Sequence, residues 1–190
     1  MSKAQSNLRY EMLRRLAQIS VMENAAIPHM KLTDITDKAL RSHEQWVGAG
    51  RIPPNGGWNW RAFMATYRKV PARFELAIWH KDQLCGLSAG VPSKSKMILK
   101  IQLIEGTTEE NPLAGRIAPI ATVCAEAYGV SIGADELRIS EPANASLINY
   151  YSKLGFVYKP GSKKQPHYLT RFIGVDNGQE DRKLKHSEHN

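Results

Sequence analysis

Asn144-Ala-Ser-Leu-Ile-Asn-Tyr-Tyr151-Ser-Lys-Leu-Gly155-Phe156 is the most informative stretch of the chain. Leu147, Tyr150, Tyr151 and Leu154 recur at helical spacing. Asn144 suits the cap of that helix, because its side-chain oxygen can accept an orphan N–H of the first turn. Gly155 ends the helix, since glycine tolerates the left-handed conformation found just past helix ends. Leu137-Arg-Ile139 reads as a short strand halted by Pro142. Phe156 to Tyr158 and Tyr168 to Ile173 read as two further strands.

Upstream, Phe74, Leu76 and Ile78 alternate with Glu75, Ala77 and Trp79, the period of a strand. The polar turn His80-Lys-Asp-Gln83 leads to a returning strand, Leu84 to Val91. Met97, Leu99, Ile101 and Leu103 mark one face of a third strand, which breaks after Glu105-Gly106. The polar loop Thr107 to Gly115 opens a helix whose apolar face is Ile117, Ile120, Ala121, Cys124 and Ala127. Glu75, set among apolar neighbours, is expected on a solvated face.

Three helices are expected before this core. Leu8, Met12, Leu16 and Ile19 give an apolar stripe over residues 7–23. A second helix opens near Thr36-Asp37, runs through Leu40, His43, Trp46 and Val47, and stops in Gly48-Ala-Gly50. After the breaker cluster Pro53-Pro-Asn-Gly-Gly57, Trp60, Phe63, Met64 and Tyr67 lie on one side of a third helix that ends by Pro71. The economical reading is one domain over residues 1–174, with helices over about 7–70 and a core over about 74–173. Residues 175–190 are rich in Asp, Glu, Lys and His and are expected to form a disordered tail.

At 190 residues the chain can bury one sizeable core. Lys and Arg number 26 against 18 Asp and Glu, a formal charge of +8. That surplus suits an acidic partner such as nucleic acid, an acidic protein or a phosphorylated cofactor, or it serves solubility alone. The two cysteines, Cys85 and Cys124, sit in apolar runs and have no ligand-type spacing, so neither a disulfide framework nor a metal site is expected. No apolar run reaches membrane-spanning length and no secretory leader is visible, so a reduced cytoplasmic compartment is the simple inference.

The order of elements from Phe74 to Ile173 resembles the core of the GCN5-related N-acetyltransferase (GNAT) superfamily. Asn144 through Phe156 is similar to that family's closing pattern, an asparagine followed by a tyrosine, then glycine and phenylalanine. The resemblance implies an α+β fold: a mixed, mostly antiparallel sheet flanked by helices, here with extra N-terminal helices. It also implies an acyl-CoA-dependent N-acyltransferase using acetyl-CoA, with an amine on an unidentified acceptor. Carried over by position, Tyr151 would protonate the departing thiolate, and Asn144 would contact the cofactor. A phenol with a pKa of about 10 is protonated at neutral pH and suits that task. Read without the family, Tyr150 and Tyr151 are core aromatics on a helix.

In the family the pantetheine arm pairs like an added strand between two splayed strands. Here those would be the strand ending Leu103-Ile104-Glu105, with Ile104 a cofactor contact, and Leu137 to Ser140. A glycine-rich loop there binds the pyrophosphate. Gly115 and Arg116 keep part of that pattern, but Ile117 and Pro119 stand where glycines are expected. Glu105 is a candidate general base at a strand end. Trp58, Trp60 and Tyr67, flanked by Arg61, Arg68 and Arg73, are candidate acceptor contacts, able to stack on a planar substrate. Two other functions stay open: a nucleic-acid modification enzyme akin to the phage DNA-modification branch, and a non-catalytic binding protein. A homodimer is also left open.

Overall fold

The structure, a computed structural model, describes residues 2–46, 53 and 56–174. The chain folds as α1 (Lys3–Ala25), β1 (Met30–Thr33), α2 (Asp37–Glu44), α3 (Trp60–Tyr67), β2 (Phe74–His80), β3 (Gln83–Pro92) and β4 (Ile98–Gly106). It continues with α4 (Ile117–Ser131), β5 (Glu136–Ser140), α5 (Ala145–Lys153), β6 (Val157–Lys159) and β7 (Tyr168–Phe172). Seven strands make one sheet in the order β1-β2-β3-β4-β5-β7-β6. Only β4 and β5 pair in parallel; every other neighbour is antiparallel. The expected mixed, mostly antiparallel sheet with flanking helices is present. The expected helix stop in residues 47–50 and the tail over 175–190 lie outside the described residues. Among the described residues no helix is long and apolar enough to cross a membrane.

Caps explain where the helices begin. Ser2 and Gln5 form a reciprocal capping box on α1. The side chains of Thr36, Asn59 and Asn144 accept first-turn amides of α2, α3 and α5. At its far end α5 is closed by Gly155, whose φ of +83° is open to glycine at no steric cost.

The sheet is buried on both faces. One core joins Phe74, Leu76, Ile78, Leu99, Ile101, Leu137, Ile139 and Leu169 to α1, α4 and Tyr151. The other joins Ala77, Trp79, Leu84, Leu87, Ala89 and Leu103 to α2 and α3. Leu103 therefore does not share the face of Leu99 and Ile101, as plain alternation predicts. The β3–β4 register passes from Ala89↔Leu103 to Gly90↔Ile101, leaving Gln102 as an extra residue. Such a bulge reverses the facing of everything beyond it. Glu105 is thereby turned toward α2 and α3.

Other expectations need correction. Leu8, Met12 and Leu16 are exposed, each near 60%. The buried side of α1 is Tyr10, Arg14, Ala17, Gln18 and Val21. Two polar residues replace the apolar stripe because Asp34 satisfies both: Arg14 Nη2 donates to Oδ2 at 2.8 Å and Gln18 Nε2 to Oδ1 at 2.8 Å. Glu75 is 2% exposed rather than solvated. It accepts from Arg73 Nε at 2.7 Å and from the Ile35 amide at 3.2 Å, and burial still raises its pKa. Strand β1, not expected, is a four-residue edge strand on β2.

Candidate active site

The parallel pairing of β4 and β5 covers only Ile98↔Glu136 to Ile101↔Ile139. Beyond it β4 runs on to Gly106 beside β3, while β5 turns away at Ser140. The main chain of residues 102–104 thus has no strand partner on the β5 side. A cleft of about 320 Å³ occupies this parting. Gln102, Leu103 and Ile104 form one bank, and Ser140, Glu141, Pro142 and Ala143 the other. Leu147 and Tyr151 of α5 line one end, while Trp58, with Phe63 and Tyr67 of α3, lines the other.

Tyr151 is 6% exposed, its ring edge-on to Tyr150 (centroids 5.3 Å apart) and to Phe156 (6.0 Å). Burial, aided by Tyr150, pushes its phenol well above the ordinary value. Its Oη has no hydrogen-bond partner among the described residues, and the side chain lines the cleft. The aromatic end is built edge to face: Trp58 on Phe63 at 5.9 Å, and Phe63 tilted on Tyr67 at 6.1 Å.

The loop before α4 touches α5 at Tyr150. Asn111 braces it by donating to the carbonyls of Cys85 (3.1 Å) and Thr107 (3.3 Å) and accepting from the Leu113 amide (2.9 Å). Gly115 has φ +75° with open space around it, and Arg116 follows, exposed, at the N-cap of α4. The first helical turn leaves the amides of Ile117 and Ala118 without intrahelical acceptors. Tyr150 Oη reaches the Gly115 carbonyl at 3.4 Å, linking α5 to this loop. The Ile117 side chain points into the core, against Gly86 and Gly106; a Cβ on Gly86 would meet it at 2.6 Å. Arg116 and Pro119 both line a groove between α1 and α4, away from the cleft.

The structure thus brings Ile104, Tyr151, Trp58 and Tyr67 together on one cleft, with Gly115 on a loop tied to α5 through Tyr150 and Arg116 lining the α1–α4 groove. Asn144 stands at the foot of α5, its side chain engaged in capping through the Leu147 amide at 3.0 Å. Trp60 and Glu105 lie behind the cleft instead. Trp60 is 1% exposed, and its Nε1 donates to Glu105 Oε2 at 2.6 Å. The Gly57 amide donates to Oε1 at 2.7 Å, and His43 Nε2 stands 3.4 Å from Oε2. Burial alone would raise the Glu105 pKa, but these donors outweigh it and hold the carboxyl below its usual range. Glu141 was not expected at the site. Its signal was faint, a carboxylate just past a strand and before Pro142. Cys85 and Cys124 are both buried, and burial pushes the Cys124 thiol up to about 12. A larger trough, about 530 Å³, runs along Met97, Glu136, Thr170 and Phe172 and includes none of the residues named for the site.

Solved structures share this architecture. Ard1 from Thermoplasma volcanium aligns at a TM-score of 0.57 and 12% identity, over 76% of this chain and 98% of that one. The Salmonella typhimurium acetyl transferase that modifies the N-terminal serine of ribosomal protein L7/L12 aligns at 0.60 and 10%, over 77% and 96%. An aminoglycoside 6'-N-acetyltransferase solved with coenzyme A aligns at 0.57 and 10%, over 75% and 96%. No family model matches the sequence, and no curated protein matches it. The chain has the GNAT fold, as its closing motif implied.

Proposed function

We propose that the protein is an acyl-CoA-dependent N-acyltransferase, with acetyl-CoA as the donor. The observation that carries this reading is the parting of β4 from β5 with an uncommitted Tyr151 phenol on its wall. Bound there, acetyl-CoA would supply an activated acyl group as a thioester. The residues fit such a cofactor. The main chain of residues 102–104, which β5 does not pair, offers an extended amide-bearing arm a strand-like partner. Gly115 and the free amides of Ile117 and Ala118 suit a pyrophosphate, with Arg116 adding charge. The two departures from the family's loop are compatible with this: Ile117 buries its side chain while its amide stays in the first turn, and Pro119 faces α1.

Tyr151 holds a proton at Oη across the neutral range, as a general acid for a thiolate must. Residues flanking the cleft position the acceptor, so much of the rate gain would come from orientation. The donor is tested by calorimetric titration with acetyl-CoA. Micromolar binding is expected, weakened at least tenfold by Gly115→Val, which places a branched residue at φ +75°. Tyr151→Phe should keep that binding and lose about 100-fold in transfer, the general-acid contribution. Absence of binding to the unaltered protein would overturn the reading. It would leave nucleic-acid modification or a non-catalytic role.

A further inference from the structure

The residue the family resemblance offers as a base, Glu105, is poorly placed for that work. Its carboxylate is buried, receives Gly57 and Trp60 on separate oxygens, and does not line the cleft. Glu141 differs in each respect. It is exposed, lines the cleft bank formed by the end of β5, and its side chain has no hydrogen bond or ion pair among the described residues. Among the described residues that line this cleft it is the only carboxylate. The cleft's other titratable groups, the phenols of Tyr67 and Tyr151, are both pushed up by burial and take no proton near neutrality.

Backbone geometry adds an independent observation. Glu141 has φ +46°, in the left-handed region that a residue with a Cβ adopts at a cost. The Glu141 amide is fixed by donating to the His167 carbonyl at 3.1 Å, and Pro142 follows. Strain of this kind survives where the surroundings dictate it, and it gathers at sites of function. The same cleft is lined at one end by Trp58, Phe63 and Tyr67, aromatic rings of the kind that attract an alkylammonium.

We propose that Glu141 and this aromatic wall receive the acceptor as a primary ammonium, and that Glu141 takes its proton. The step is a simple exchange: carboxylate and ammonium become carboxylic acid and neutral amine. The amine nitrogen is then free to attack, and Glu141 later returns the proton to water. Glu105 becomes a positioning residue that latches the segment bearing Trp58. The inference rests on the acyltransferase reading for its turnover arm only.

Glu141→Gln should bind acetyl-CoA within twofold of the unaltered protein. Against a panel of lysine-bearing peptides and small alkylamines it should lose at least 100-fold in kcat/KM at pH 7. The loss should shrink as pH rises toward the ammonium's own titration. It should be under tenfold for methoxyamine, which is already neutral at pH 7. Glu105→Gln should instead raise KM for the acceptor more than it lowers kcat. Glu141→Gly, freed of the left-handed cost, should melt no lower than the unaltered protein while losing the same activity. Equal losses on both amine types, or none, would overturn the assignment. If no acetyl-CoA binds, the ammonium site is still read directly by an NMR titration with benzylammonium. Glu141→Gln should weaken it at least tenfold, and unchanged binding sinks the proposal.

Discussion

At Glu105 three donors outweigh the cost of burying a charge, so the folded protein holds this carboxyl ionised below its usual range. A lowered folded pKa contributes stability that is present above the unfolded value and is lost as pH falls through the folded one. Glu105→Gln should therefore destabilise the protein at pH 7 by about 2 kcal/mol, the worth of hydrogen bonds to a buried charge. The gap between variant and unaltered protein should narrow as the pH drops below the carboxylate range, checked by denaturant unfolding at several pH values. A gap independent of pH would mean that the loss comes from the amide's altered hydrogen bonding and not from the missing charge. The sequence marked Glu105 only as a strand end. Its true surroundings follow from one extra residue, Gln102, which turns it toward α2 and α3 and which no alternation of apolar residues reveals. Tyr151 was legible because helix, cap and glycine stop sit close together in the sequence. Glu141 was not, because its placement depends on where β5 leaves β4.

Helix α4 is set against the sheet by close contact between small and large residues. Gly86 on β3 and Gly106 on β4 make room for the Ile117 side chain in the first helical turn. Gly86→Ala would place a methyl 2.6 Å from Ile117 Cγ2. It should cost about 1–3 kcal/mol by overpacking, seen as a lower melting temperature. The double change Gly86→Ala with Ile117→Ala should lose less than the two single losses added, since alanine lacks both the Cγ2 and the Cδ1 that meet the new methyl. Additive losses would mean that the two sites relax independently. Strands β2 to β5, α4 and α5 were legible from period and punctuation. The burial of α1 was not, because its inward face carries Arg14 and Gln18, and their acceptor, Asp34, lies well away in the chain.

Helix α1 joins the rest of the protein through that polar anchor and through Tyr10, Ala17 and Val21, which pack in the core. Arg14 is 3% exposed, pairs with Asp34, and donates to the carbonyls of Pro71 (3.5 Å) and Arg73 (3.3 Å). Arg14→Ala should cost about 3–5 kcal/mol, the penalty for stripping one partner from a buried ion pair. Limited proteolysis should then cut within residues 3–25 first, because α1 would lose its hold before the sheet does. Uniform protection of α1 in the variant would locate its attachment in Tyr10, Ala17 and Val21 instead. Beyond this helix the sheet divides in sequence order. Strands β1 to β4 precede α4, and β5 to β7 follow it. The aromatic wall therefore belongs to the first part of the chain, while Glu141 and Tyr151 belong to the second. Gly133, exposed and at φ +83°, lies in the turn between the two. Recombination at that turn would exchange one bank of the cleft intact, so the aromatic wall and the carboxylate proposed to face it can be inherited from different parents.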